Sequence, residues 1–234
     1  MTNSQTSNRI VAIIPARGGS KGILRKNVRV VGGLPLIAHS ILDGRDSVRV
    51  TEVYVSTDDA EIAEVSRSHG ARVIERPADI SGDTASSETA LIHALDVIEQ
   101  DGPVDLVVFL QCTSPVRSGA DIDAAIATLE REQADSLLSV SPSHRFLWKQ
   151  GPQGPVALNY DPMKRPRRQE LEPQYMENGS IYLFRPWVLR RFANRLGGKI
   201  ALSVMSPRAA FEIDDELDLA VIGFLLSNTT DSLD

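Results

Sequence analysis

The stretch Ile10-Val11-Ala12-Ile13-Ile14-Pro15-Ala16-Arg17-Gly18-Gly19-Ser20-Lys21-Gly22-Ile23-Leu24-Arg25-Lys26-Asn27 is an apolar run that opens into a loop holding four cations, three glycines and no carboxylate. Glycines let a backbone come close to a phosphate chain with its N–H groups aimed at it, and Arg and Lys supply charge that neutral amides lack. The bias extends past the loop. The first acidic residue of the chain is Asp43, although there are 31 acidic residues against 25 Lys and Arg. A loop of this composition at the C-terminal end of a first strand sits where open α/β sheets bind ligands. It reads as a polyanion cradle set in a negative protein.

Outward from the loop, short strand-like runs alternate with longer helical ones. Helical patterns fall over 35–42, 60–69, 87–99, 121–132, 187–193 and 216–226. Strand patterns fall over 10–14, 53–56, 72–74, 106–110, 136–140, 180–184 and 200–204. Leu91, Ile92, Leu95 and Ile98 recur at helical spacing, whereas Leu106 to Leu110 is an unbroken apolar run of buried-strand type. This alternation predicts an α/β fold with a mostly parallel, Rossmann-like sheet and helices on both faces. Between Pro142 and Tyr175 the pattern lapses into a proline-rich segment with four cations in Lys164 to Arg168. It reads as an excursion from the sheet, and the 234 residues as a single domain carrying it.

The net charge of −6 argues against a general nucleic-acid binder. Cys112 is the only cysteine, so no internal disulfide forms. No apolar run approaches the roughly 20 residues needed to span a bilayer. The expectation is a cytoplasmic protein with no membrane or nucleic-acid partner. The four histidines have no zinc spacing, and Cys112 reads as an inert thiol at a strand end. Asp59 reads as a helix cap rather than a catalytic acid.

The opening loop fits neither common phosphate-binding pattern: Lys21 lies between Ser20 and Gly22, and Gly18, Gly19 and Gly22 are not spaced as a dinucleotide fingerprint. Together with Glu75-Arg76-Pro77, Gly82-Asp83-Thr84-Ala85-Ser86-Ser87, Leu110-Gln111-Cys112-Thr113-Ser114-Pro115-Val116-Arg117, Glu177-Asn178-Gly179-Ser180-Ile181-Tyr182 and Glu212-Ile213-Asp214, however, it resembles the CMP-sialic acid synthetase family. The resemblance runs in the family's order over Ile10 to Leu226. It implies a nucleotide-diphospho-sugar transferase fold, CTP as co-substrate and Mg²⁺ as cofactor.

By that resemblance, Arg17, Lys21 and Gln111 are the catalytic candidates. Ala16, Arg17, Gly18, Ser20, Lys21, Lys26 and Asn27 would hold the phosphates and ribose, and Arg76, Ala85 and Ser87 the cytosine and its ribose. Gln111, Lys149, Arg168, Asn178 and Tyr182 would meet an acidic acceptor, with the 142–175 excursion forming a homodimer and reaching the neighbouring site. Glu212 and Asp214 are the candidate metal ligands, alternating in a strand-like stretch so that both point one way. Asp214, Asp215 and Glu216 equally suit a helix N-terminus.

Three positions depart from the family's pattern. Glu212 stands where Asp is more frequent, Met176 where a basic residue is frequent, and Arg195-Leu196 where sialate-specific members carry an aromatic pair. The acceptor therefore stays open between a sialic-acid-like nonulosonic acid and a small phosphonate such as phosphonoformate. A nucleotide-binding regulator without catalysis is the alternative of another class.

Overall fold

The computed structural model describes residues 8–19 and 22–228. In chain order the elements are β1 (Ile10–Pro15), the short hairpin β2 (Val30–Val31) and β3 (Leu34–Pro35), α1 (Leu36–Asp46), β4 (Glu52–Thr57), α2 (Ala60–Ser68), β5 (Arg72–Glu75), α3 (Ser87–Ile98), β6 (Leu106–Leu110) and α4 (Gly119–Arg131). There follow β7 (Ser136–Ser143), β8 (Trp148–Gly151), β9 (Gly154–Ala157), β10 (Gln174–Phe184), α5 (Pro186–Phe192), β11 (Ile200–Val204) and α6 (Glu216–Ser227). Seven strands form one sheet in the order β11-β7-β10-β6-β1-β4-β5. Every neighbouring pair is parallel except β10, which runs antiparallel to both β6 and β7.

Both faces of the sheet are covered, so its central strands are apolar on consecutive residues. Ile10, Ala12 and Ile14 of β1 join one core with Leu36, Ile37 and Ile41 of α1, Ile122 and Ile126 of α4, and Ile222 of α6. Val11 and Ile13 point the other way, into a core with Leu91 and Leu95 of α3 and Val188 and Leu189 of α5. Fully burying one such aliphatic side chain contributes about 1.5–3 kcal/mol. Capping fixes where the helices begin: Asp59 accepts from the Glu61 and Ile62 amides at α2, and Ser86 accepts from Thr89 at α3.

This topology places the site. The chain moves from β1 outward through β4 to β5, then returns to put β6 on the other side of β1. Loops leaving the C-terminal ends of β1 and β6 therefore diverge, opening the crevice in which open sheets hold ligands. The excursion holds a second hairpin, Trp148 on β8 paired with Ala157 on β9, and two short helical turns. Among the described residues no helix is long and apolar enough to cross a membrane.

Candidate active site

A cavity of about 430 Å³ lies in that crevice, with Arg17 and Lys26 on the β1 side and Phe109 and Gln111 on the β6 side. The loop after β1 is shaped by its neighbours. The Ala16 amide donates to Ser56 at 2.9 Å, continuing the β1–β4 pairing past the end of the strand. The Gly18 amide then donates to Asp58 Oδ1 at 3.0 Å. A Cβ on Gly18 would lie 2.7 Å from Asp59 Oδ2, and one on Gly22 would lie 2.6 Å from the Asp214 carbonyl oxygen. Glycine at these positions lets the loop pack against the α2 N-terminus and the 212–214 segment together.

The described cations of the loop are each engaged. Arg17 donates to the Gly82 carbonyl at 3.1 Å and pairs with Asp83 at 3.4 Å. Arg25 pairs with Glu61 and lies 3.6 Å from Asp59. Lys26 Nζ donates to the Ile213 carbonyl at 2.8 Å, and Asn27, 8% exposed, donates to the Arg17 carbonyl at 3.1 Å. Ser20 and Lys21, the centre of the expected triphosphate grip, lie outside the described residues.

Opposite the loop, Arg76 is nearly buried and donates to Ser56 Oγ at 3.1 Å and the Ser56 carbonyl at 2.5 Å. Burial lowers its pKa, with Asp58 opposing that shift, but a guanidinium is basic enough to remain a cation. Ala85 and Ser87 line the cavity where α3 begins, and the N-terminal end of that helix favours negative charge. Gln111, Cys112 and Thr113 line it beyond β6. Burial pushes the Cys112 thiol up to about 11, away from the reactive thiolate.

The acidic pair departs from expectation in conformation. Residues 211–215 are not a strand but a connection between the turn Pro207–Ala210 and α6, so strand alternation does not orient Glu212 and Asp214. Asp215 caps α6, accepting from the Leu217 and Asp218 amides, which takes up the helix-start reading of this acidic run. Glu212 is half-buried and packs over Gly179, whose φ is +63° and where any Cβ would overlap the Glu212 carboxylate. Burial raises the Glu212 pKa, and Asp214 and Glu177 raise it further, against Ser114 and Lys26. Carboxylates that repel one another suit a hard cation. Among the described residues, however, no group of three or more His, Cys, Asp or Glu is arranged to hold a metal alone. Neither Glu212 nor Asp214 lines the cavity, so Mg²⁺ held by this pair would need phosphate and water to complete its shell.

The expected acceptor residues separate into three environments. Tyr182 is buried, stacked on Phe109 with centroids 5.4 Å apart, and its hydroxyl donates to Glu177. Arg195 covers both rings at 4.7 and 4.8 Å and pairs with Glu88 at 2.8 Å, and neither Tyr182 nor Arg195 lines the cavity. Asn178 points into the protein, accepting from Ser139 at 2.6 Å and donating to Ser141 at 3.2 Å. It shapes the β10 bulge rather than the cavity wall. Lys149 and Arg168 are exposed in the excursion, and neither lines the cavity of its own chain.

A cytidylyltransferase family model matches residues 11–197. The chain is 35% identical over 227 residues to N-acylneuraminate cytidylyltransferase of Oncorhynchus mykiss, covering 94% of this chain and 50% of that protein. It thus spans about half the length of that relative. It is 38% identical over 184 residues to CMP-N,N'-diacetyllegionaminic acid synthase of Legionella pneumophila subsp. pneumophila, covering 75% of this chain and 77% of that one. In fold it superposes on a CMP:2-keto-3-deoxy-manno-octonic acid synthetase solved with CTP, at a TM-score of 0.71 and 18% identity, covering 95% of this chain and 100% of the other. With the family model matching well over half its length, this chain belongs to the cytidylyltransferase family.

Proposed function

We propose that the protein transfers CMP from CTP to a sialic-acid-like nonulosonic acid and releases pyrophosphate. The observation that carries this reading is one cavity at the β1–β6 divergence bounded by Arg17, Lys26, Arg76, Ser87 and Gln111. In the reaction, a hydroxyl oxygen of the acceptor forms a bond to the α-phosphorus, the bond to the β-phosphate bridging oxygen breaks, and the hydroxyl proton passes to solvent or a carboxylate. Chemistry of this kind depends on alignment and charge compensation more than on covalent help.

In this reading Arg17, Lys21 and Lys26 grip the phosphates, Arg76, Ala85 and Ser87 seat the cytidine, and Gln111 orients the reacting oxygens. Arg17 first exchanges Asp83 for phosphate. Glu212 and Asp214 would hold Mg²⁺, which when bound supplies charge for the leaving pyrophosphate. Lys149 and Arg168 serve the neighbouring subunit of a homodimer. That assignment draws support from Leu147, Trp148, Leu158 and Met163, large apolar side chains exposed in the excursion. A cytoplasmic setting completes the reading, in agreement with a single cysteine kept as a thiol.

One feature favours a smaller acceptor: a cation, Arg195, packs over the Phe109 and Tyr182 rings where an aromatic pair would suit an N-acyl group. Pyrophosphate release is therefore to be measured with CTP and MgCl₂ against N-acetylneuraminate, N,N'-diacetyllegionaminate and phosphonoformate. Release with either sugar acid is the expected result. Release with phosphonoformate alone selects the smaller acid, and CTP binding without release on any acceptor selects a nucleotide-binding regulator.

A further inference from the structure

Arg117 does not line the cavity, and its side chain has no solvent exposure. Its guanidinium joins three elements that the sequence keeps far apart. NH1 donates to the carbonyl oxygens of Gln111 at 3.1 Å, Ser114 at 2.6 Å and Ser180 at 3.3 Å. NH2 donates to the Ser40 hydroxyl on α1. Nε lies 3.4 Å from Asp43 Oδ2, also on α1, yet that contact lacks hydrogen-bond geometry. Asp43 thus faces the guanidinium without a hydrogen bond, while the carbonyls orient it.

Stability alone is a weak reason for this arrangement, because a buried ion pair is often matched or exceeded by apolar residues of similar size. What the guanidinium does uniquely is fix a turn. It gathers both ends of the Gln111–Ser114 segment and ties them to Ser180, the residue after the Gly179 bulge on which Glu212 rests. On its other side the same segment accepts the Ile213 amide at Thr113, at 2.8 Å, and the Ile213 carbonyl accepts from Lys26. Moving the turn therefore moves Gln111, the Glu212 segment and the loop cation together.

We propose that Arg117 is a positioning residue for CMP transfer, holding the Gln111–Ser114 turn in register with the Gly179 bulge and the nucleotide cavity. The inference rests on the transfer reaction proposed above. A displacement of about 1 Å at a reacting group is enough to cost roughly 100-fold in rate.

The test compares wild type with Arg117→Met/Asp43→Leu, which removes both charges and fills their space, and with Arg117→Ala. Melting temperature, CTP affinity by calorimetry with MgCl₂, and kcat and KM for pyrophosphate release on the acceptor the wild type uses are read together. The double variant is expected to fold and bind CTP within about threefold of wild type while kcat falls about 100-fold, a split that separates positioning from binding. Guanidinium chloride well below denaturing concentration is expected to restore part of kcat to Arg117→Ala. A folded double variant with wild-type kcat overturns the inference, as does a folded Arg117→Ala that guanidinium does not rescue. Wild type that turns over no acceptor sinks the transfer reading first and this inference with it, so the two failures are distinguishable.

Discussion

The loop after β1 and the 142–175 excursion are both rich in cations, and the structure treats them in opposite ways. In the loop, Arg17, Arg25 and Lys26 are each held by a carboxylate or a carbonyl, and the backbone is pressed against Asp59 and Asp214. In the excursion, Arg165 lies over the Phe146 ring, and Arg168 and Arg145 edge a separate cavity of about 550 Å³. Trp148, Leu158 and Met163 are exposed beside them. Among the described residues, the loop's cations find their partners within the chain. The second region displays apolar surface and charge of the kind that contact with another molecule would cover, which is the basis of the proposal that it meets a second subunit.

That contrast can be broken from the loop side first. Lys21→Ala is expected to lower kcat for pyrophosphate release by about 100- to 1,000-fold, the usual effect of removing one preorganised electrostatic contact, with the melting temperature unchanged. Wild-type turnover in a folded variant would remove the loop from catalysis. Gly22→Ala tests the packing beneath it, since the new methyl meets the Asp214 carbonyl oxygen. Its kcat/KM is expected to fall about tenfold or more, as expected when a site is misaligned. Gly19→Ala, whose Cβ meets nothing within 4 Å, is the matched control.

A third measurement uses pH. Burial pushes the Asp43 carboxyl up to about 7 from 3.8, against the pull of Arg117. The folded protein therefore holds a proton that the unfolded chain has lost, so this contribution is fully present below about pH 4 and declines as pH rises through 7. Chemical denaturation across that window is expected to show a stability decline of at most about 1.4 kcal/mol per pH unit attributable to Asp43. Asp43→Asn should flatten it, and an unchanged slope would show that the carboxyl titrates normally.

Smaller effects sharpen the contrast further. Asp83→Asn removes the carboxylate that competes with phosphate for Arg17, so CTP affinity is expected to tighten by a few-fold, about 1 kcal/mol at most for a pair this exposed. Weaker binding would mean that Asp83 organises the site instead. In the excursion, Met163→Lys at an 89% exposed position is expected to weaken self-association in sedimentation while CTP affinity holds. A monomeric wild type at micromolar concentration would contradict the dimer outright.

How much of this was legible beforehand follows from what periodicity records. The order of helices and strands was readable because each central strand is apolar on both faces and each helix repeats apolar residues toward one core. The direction of β10 was not, since alternation is the same in parallel and antiparallel strands. Its full length was hidden as well: the polar start at Gln174 pairs with β7 and carries no apolar signal. Val30–Val31 and Leu34–Pro35 flank Gly32 and Gly33, both at positive φ, a hairpin signal present in the sequence but too short to register as strands.

At the site, Arg76, Gln111, Lys26 and Ser87 were identifiable from their motifs and do meet at one cavity. Asn178 was read as facing the acceptor, because a motif shows that a residue matters and not which way its side chain turns. Arg117 carried no role in the sequence. It closes the 110–117 motif, and only the fold reveals the five carbonyl and hydroxyl groups converging on it.

The most direct test of the central claim is a crystal structure with CTP and MgCl₂. The triphosphate is expected against residues 16–27, with Arg17 withdrawn from Asp83 and the cytosine beside Arg76 and Ser87. A nucleotide bound anywhere else, or an Arg17–Asp83 pair left intact beneath it, would contradict the account.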